Sequence, residues 1–467
     1  MSSAKYFPLN YLSKVSLGLL SILLIFSFLY YDLRMSFIDG PFILFQIIQN
    51  DSLAIQVGRF GAAVTQIFPY LGMKLGFSLK SLMVIYSAAF ALFPLIAGIM
   101  LHRLRQYEWV IALAVYYTAF CSDAFFWPNN EIHQGIPWLF LALGIYFSDL
   151  WLNKAFFKFP LASILLVTGV FCHPLMIPLS IFLIGLFLLT SKLRLNIKTD
   201  LIFIVIWLFT LWGKWYAGTQ NWYDGEKLRN LTSLTFDQYL GFYDTPSFKL
   251  FLSGLTETHF QGLILIIVLL VSSFIRGALL VPLWSFLCIA IHLIMTVTLM
   301  NDSLLFYAQS QWMIIGIMLV MPSLLIKIPS VHKLILQVIV YIYLMSFSNN
   351  GSKALVKFQE RKATFDNILN VMHSKNIRAA NIRDISEKTN ENFIMKWGLP
   401  VESLVLSAAN GAPVSFLVSP DERSDASGDY FHSCFEDIPS DQLNQFYFGG
   451  FRPAYKNISI DSLIRSD

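Results

Sequence analysis

Residues 37–69 read FIDGPFILFQIIQNDSLAIQVGRFGAAVTQIFP. The stretch lies between two strongly apolar runs, near 15–31 and 81–101. Its ionisable residues are few and separate: Asp39, Asp51 and Arg59. It is too polar to cross a bilayer and too apolar for a solvated loop. The reading is one or two interfacial helices over 37–80. They hold an acid and a guanidinium where lipid meets water. The rest of the chain reads as a membrane scaffold around this segment, followed by a small soluble domain.

The composition sets that frame. The chain has 467 residues, 56% hydrophobic and 13% charged, with a mean hydropathy of +0.60. Globular proteins carry about 25% charged residues. A water-soluble fold could not keep this much apolar surface dry, which implies a polytopic membrane protein. Helices are the open-chain way across lipid, because the backbone must satisfy its own hydrogen bonds there. The expected fold is therefore mainly α. About eleven runs are apolar enough to be candidate spans: 15–31, 81–101, 108–121, 134–152, 159–172, 174–191, 201–217, 261–275, 277–299, 309–326 and 333–347. Several are shorter than the ~20 residues of an ordinary span. The pair over 159–191 also fits one long or broken helix. Cys121, Cys172, Cys288 and Cys434 form no C-x-x-C pair, which argues against a disulfide framework or a structural zinc site. The first apolar run has no A-x-A-like end and reads as a retained span.

Orientation follows from the basic residues. With the N-terminus in the cytoplasm, the short inner pieces carry Lys14, Arg103, Arg105, Lys158, Lys192, Arg194, Arg276 and Lys327, among others. The short outer pieces near 122–133, 173 and 300–308 carry no Lys or Arg. This is the positive-inside pattern. All the long connections (32–80, 122–133, 218–260 and 348–467) then fall outside, as does the C-terminus. Residues 1–347 form the expected transmembrane domain and 348–467 an extracytoplasmic α+β domain. In the latter, Lys353–His373 has helical spacing. SLVLSAA (403–409) and VSFLVS (414–419) read as strands joined by a hairpin at Asn410-Gly411. The bacterial inner (plasma) membrane is the expected location.

Candidate site residues lie on the outer side. A carboxylate at Asp39, just past the first span, suits a general base or a divalent-cation ligand beside a phosphate. It also suits a cap for the helix that opens Pro-Phe-Ile-Leu. Asp32 is a nearby rival. Arg59 and Gln66, seven apart, share a face if the segment is helical. An arginine there suits a phosphate or anionic headgroup, or simply snorkels to lipid. The second outer loop, CSDAFFWPNNEIHQGIPW (121–138), places Asp123, Glu131 and His133 close in sequence. Two residues apart, Glu131 and His133 converge only at a loop-to-helix junction. His173, before Pro174, is placed to bond a ligand phosphate or a local carbonyl. Lys214, flanked by Trp212 and Trp215, reads as an aromatic-belt anchor or a contact for an anionic headgroup. The 218–260 loop mixes aromatic rings with carboxylates, Trp222, Tyr223 and Asp224 among them. That mixture suits sugar stacking or an interfacial loop.

Together these residues resemble the GT-C superfamily of integral-membrane glycosyltransferases. Its plan is a first span, an acidic outer loop with interfacial helices, a second acidic loop, and often a soluble C-terminal domain. IDGPFILFQI, GRFGAAVTQIFP and NEIHQGIPW are similar to uncharacterised bacterial GT-C-like proteins, and the GRF is similar to GtrII-type glucosyltransferases. The resemblance implies a catalytic or metal-contacting role for Asp39 and for Glu131, with Asp123 as the alternative to Glu131. The adjacent acid pair of many members is missing here. Any Mg²⁺ or Mn²⁺ would therefore rest on Asp39 and Glu131; no other cofactor is implied.

The expected function is transfer of a sugar from a polyprenyl-phosphate donor, by an inverting hexosyltransferase, to a glycan, lipid or protein acceptor outside the cytoplasm. Arg59, Gln66, Asp123, His133, His173 and Lys214 are the candidate substrate-binding residues. Membrane lipids are partners throughout. Two other classes stand beside this one. A transporter or lipid flippase needs polar residues near mid-membrane, where His292 is the main example. A non-catalytic subunit of an envelope-polysaccharide complex would use the C-terminal domain for docking. No basic patch outside the short inner loops suits nucleic acid.

Overall fold

The computed structural model describes residues 9–120, 123–128, 131–148, 155–190, 200–257, 279–300, 305–325, 330–383, 395–418, 429–433 and 436–459, with isolated positions at 259–274 and 393. The chain is mainly helical. Its first half comprises α1 (Leu9–Leu29), α2 (Tyr31–Arg34), α3 (Asp39–Asn50), α4 (Ala63–Lys74), α5 (Leu79–Arg103), α6 (Tyr107–Val115), α7 (Glu131–Phe147), α8 (Ala155–Phe171) and α9 (Met176–Leu189). There follow α10 (Asp200–Gln220), α11 (Trp222–Ser233), α12 (Phe236–Leu240), α13 (Pro246–Glu257), α14 (Leu280–Met300), α15 (Leu305–Leu325) and α16 (Ser330–Ser374).

Among the described residues, four helices are long and apolar enough to cross a membrane: Leu9–Leu29, Leu79–Arg103, Asp200–Gln220 and Leu280–Thr298. Phe157–Phe171, Met176–Leu189 and Trp312–Leu325 are apolar but shorter. The expected run at 261–275 lies mostly outside the described residues. The pair over 159–191 is two helices, broken at Cys172–Leu175. Burial separates outer from inner helices. α1 exposes Ile22, Ile25, Phe28 and Leu29, and α14 exposes Leu283, Phe286, Leu287 and Ile291. These stripes are what lipid would cover. In α6, Trp109 to Val115 are all buried, so this helix is apolar on every side because it sits at the centre.

Within 37–80 the two helices differ in burial. α4 and the turn after it expose Ile67, Phe68, Leu71, Leu75 and Phe77, as a helix at a lipid surface would. α3 instead is buried from Gly40 to Phe45 and at Ile47 and Ile48. Part of its cover is α4 and α5, and part is the C-terminal region, where the Phe45 ring lies 5.5 Å from Phe431 and 5.4 Å from Phe448. The apolar residues of α3 are thus core, not membrane anchor.

The C-terminal region also departs from its sequence reading. Lys353–His373 is helical, but it is the end of the single 45-residue α16, which runs without interruption through position 347. The run at 403–409 is not a strand. It lies in α17 (Leu399–Ala408), opened by a proline at its N-terminal turn and buried from Leu399 to Ser407. Asn410-Gly411 is not a hairpin either. Gly411, at φ 81°, ends the helix by donating to the Ala408 carbonyl at 2.9 Å. An apolar run buried on all sides has no period, so propensity and the proline decide it. The strands β1 (Ala379–Arg383), β2 (Ser415–Val418) and β5 (Tyr455–Ser459) form a parallel sheet in the order β2-β1-β5. β3 (Tyr430–His432) and β4 (Asp437–Pro439) pair antiparallel.

Candidate functional site

The polar centre is Arg59. Its Nη1 lies 2.9 Å from Glu131 Oε1 and its Nη2 lies 2.9 Å from Asp224 Oδ1. Lys214 Nζ is 3.7 Å from the other oxygen of Asp224. Tyr223 places its ring 5.7 Å from the Arg59 guanidinium carbon. Arg59, Lys214 and Asp224 are buried, and Glu131 keeps 13% of its side chain exposed. Arg59 Nε is buried and has no hydrogen-bond partner among the described residues.

Each member arrives on a different element. Glu131 opens α7, Asp224 lies in the first turn of α11, and Lys214 is near the end of α10. Asn221 caps α11 by accepting from the Asp224 N–H at 2.6 Å, which fixes the Asp224 backbone. Arg59 precedes a short 3₁₀ turn at Phe60–Ala62. Three contacts hold that turn. Trp138 Nε1 donates to the Gly61 carbonyl at 3.1 Å, and the Phe60 ring packs at a tilt 5.2 Å from Phe171. A Cβ on Gly61 would fall 2.3 Å from Cys172 Sγ, so only glycine lets the chain lie on the α8–α9 junction. Just upstream, Val57 and Gly58 both have positive φ, at 42° and 72°. For a β-branched residue such as Val57 that costs of order 1–3 kcal/mol.

Asp39 faces the same cluster and is partly exposed. No hydrogen bond to its carboxyl is present among the described residues. Burial, reinforced by the Glu131 charge and only partly offset by Arg59, pushes its pKa up to about 7. Asp39 is therefore poised to hold or release a proton near neutrality. It is not the helix cap: Ile38 occupies the N-cap position of α3, without a side-chain cap. The same environment, with burial as the main cause, raises the Tyr223 pKa and keeps that phenol neutral. The Arg59 guanidinium is held charged by Glu131 and Asp224 against the cost of burial. His173 Nδ1 accepts from the Leu175 N–H at 3.1 Å. Burial first, then Arg59, Lys227 and Lys214, lowers its pKa well below the usual value. A neutral ring that accepts at Nδ1 carries its proton on Nε2, so His173 offers a donor beside the cations.

Five of the expected residues thus form one neighbourhood: Asp39, Arg59, Glu131, His173 and Lys214. Three lie elsewhere. Gln66 is on α4, but Arg59 is not on a helix, so the two share no face. The Gln66 amide donates to the Ala54 carbonyl at 3.1 Å. Asp123 pairs with Lys357 Nζ at 2.9 Å, tying the second loop to α16. His133 bonds the Tyr116 hydroxyl through Nδ1 at 2.8 Å, whereas Glu131 pairs with Arg59. A narrow apolar cavity reaches His133 and Arg34 but includes no member of the ion-paired cluster. Asp224 is the member whose pairing the sequence hides, since nothing local links positions 59 and 224. Arg34 is a further buried cation, bonded to Ser87 Oγ at 2.8 Å and packed 4.2 Å from the Phe125 ring.

The donor set does not suit a divalent cation. Glu131 is already held by a guanidinium, Asp39 carries a raised pKa, and two cationic side chains sit among the acids. No cluster of three His, Cys, Asp or Glu side chains with metal-binding geometry occurs among the described residues. What the arrangement can do is hold an anion on Arg59 and Lys214 and accept a proton at Asp39. The chain matches no protein-family model, no curated protein and no solved structure.

Proposed function

We propose that this chain is a membrane glycosyltransferase of the GT-C type. It would take a sugar from a polyprenyl-phosphate donor and pass it to an acceptor hydroxyl outside the cytoplasm. The observation that carries this reading is the gathering of ionisable residues from four connections at one place. Asp39 and Arg59 come from the first loop, Glu131 from the second, His173 from the α8–α9 break, and Asp224 from the loop after α10. Positive-inside counting puts all four connections on the same, outer side.

In this reading the donor's isoprenoid tail stays in lipid and its phosphate sits on Arg59 and Lys214, displacing Asp224 from one or both. Asp39, ionised, takes the proton of the acceptor hydroxyl as the oxygen attacks the anomeric carbon. The bond from that carbon to the phosphate oxygen breaks, and polyprenyl phosphate leaves with the electron pair. One displacement inverts the anomeric centre. Glu131 acts through Arg59 and through the proton affinity of Asp39, as a positioning group. Finer features belong to the same proposal: about eleven spans, an inner N-terminus, and residues 348–467 as an extracytoplasmic domain.

The test is donor turnover by purified protein in nanodiscs, offered a panel of polyprenyl-phosphate sugars. Wild type should release or transfer sugar. Asp39→Asn should lose ~10²-fold or more, the scale of a lost general base, with folding intact. Glu131→Gln should lose less and shift the pH profile. Turnover that survives Asp39→Asn would remove Asp39 from the chemistry. No turnover with any donor by folded wild type would overturn the enzyme reading.

A further inference from the structure

The three residues before Asp39 are all gripped from the C-terminal part of the chain. The Ser36 carbonyl accepts from Arg361 on α16. The Phe37 ring lies 5.2 Å from the Arg361 guanidinium carbon and 5.4 Å from the Phe358 ring. Ile38 is fully buried, at φ 25° and ψ −77°, and its backbone N–H donates to the Glu402 carboxylate. Gly398 presses on the Ile38 side chain, so that a Cβ there would fall 2.6 Å from Ile38 Cγ2. Glu402 is wholly buried and chelated by Arg361 at 2.6 and 2.9 Å.

We propose that Arg361, Glu402 and Gly398 are positioning residues that set the direction of the Asp39 carboxyl from the C-terminal side. The value of this for catalysis rests on Asp39 being the base; the geometry itself does not. A β-branched residue does not adopt φ 25° by its own preference, so its surroundings must hold it there. The peptide between Ile38 and Asp39 fixes where the Asp39 side chain leaves the backbone. The other constraint is the axis of α3, and that helix is embedded among Phe431 and Phe448. The grip on Ile38 therefore comes from residues beyond position 350, and the axis of α3 is held by that region together with α4 and α5. Relaxation of Ile38 would turn Asp39 relative to the groups that face it. These are Glu131 on α7, Arg59 before α4, Tyr86 on α5 and Tyr223 on α11. Sequence distance concealed the device, since 41 positions separate Arg361 from Glu402.

Carbodiimide modification of the full chain in nanodiscs tests it. The reagent adds to protonated carboxyls, so peptide mass mapping against pH reports the proton on Asp39 without any sugar substrate. Wild type should label at Asp39 with a midpoint near the value of about 7 set by its surroundings. Gly398→Ala and Glu402→Gln should each move that midpoint by ~1 pH unit, a tenfold change in proton occupancy. Phe416→Leu, in the same core but bonded to none of residues 36–38, should lower thermal stability and leave the midpoint in place. An unmoved midpoint in Gly398→Ala overturns the proposal, even if Glu402→Gln fails to fold. So does an equal shift in Phe416→Leu. A shifted midpoint in a protein that transfers no sugar would sink the transferase reading and leave this one standing. Sugar transfer with an unshifted midpoint would do the reverse.

Discussion

At the scale of single residues, the site is a balance of charge in which Asp39 is the variable member. Arg59 pairs with Glu131 and Asp224, Lys214 lies beside Asp224, and Asp39 faces Arg59 and Glu131, so ionising Asp39 adds one negative charge to an ion-paired cluster. An acid whose folded pKa is raised binds a proton more tightly than its unfolded form. Stability from Asp39 is then fully present at low pH and falls as pH rises from its unfolded value, near 4, to about 7. Asparagine carries no such penalty. The melting-temperature advantage of Asp39→Asn over wild type should be near zero around pH 4, grow towards pH 7 and stay constant above it. Melting curves of both proteins in one detergent across that range check this. A gap that does not change with pH would mean Asp39 titrates normally. The identity of Asp39 as an acid just past the first span was legible in the sequence. Its proton affinity was not, because that comes first from burial and then from Glu131, neither of which is encoded nearby.

At the scale of elements, the sequence revealed helices well and their surroundings poorly. Apolar runs identified α1, α5, α10 and α14, since a long run with few charges has one structural solution in lipid. Hydropathy could not distinguish α3, buried against protein, from α4, with its exposed Phe68 and Leu71, because both are apolar and short. The hairpin expected at Asn410-Gly411 failed for a related reason: the same glycine ends a helix as readily as it turns a hairpin. Close approaches were hidden as well. On α9, a Cβ at Gly185 would fall 2.3 Å from Trp284 Cε2 on α14, and that indole donates to the Phe182 carbonyl at 3.0 Å. The indole cannot step aside without losing its bond. Gly185→Ala should therefore destabilise the protein by about 1–3 kcal/mol, the usual cost of overpacking. Thermal unfolding in detergent measures it, and a neutral result would mean that α9 and α14 can separate freely.

At the scale of the whole molecule, the decisive relation is between two independent statements about sides. Contacts join the first loop to the C-terminal region without reference to any membrane. Gln49 Nε2 donates to the Gln442 carbonyl at 2.8 Å, and the Tyr447 hydroxyl donates to the Phe77 carbonyl at 2.9 Å. The opposite end of the bundle is tied by Ser13 to His102 at 2.8 Å and by Lys158 to the Ser148 carbonyl at 2.9 Å, close to Lys14, Arg103 and Arg105. Charge counting assigns the basic end to the cytoplasm. Lys74 and Phe446 are exposed near the first end, and Arg105 is exposed at the second. In a background with Cys121, Cys172, Cys288 and Cys434 replaced, Lys74→Cys and Phe446→Cys should react with a membrane-impermeant maleimide on intact cells. Arg105→Cys should react only after permeabilisation. Lys74→Cys and Phe446→Cys on different sides would contradict the fold itself. All three reversed together would keep the fold and turn the site towards the cytoplasm, where a sugar nucleotide, and not a lipid-linked sugar, would be the accessible donor.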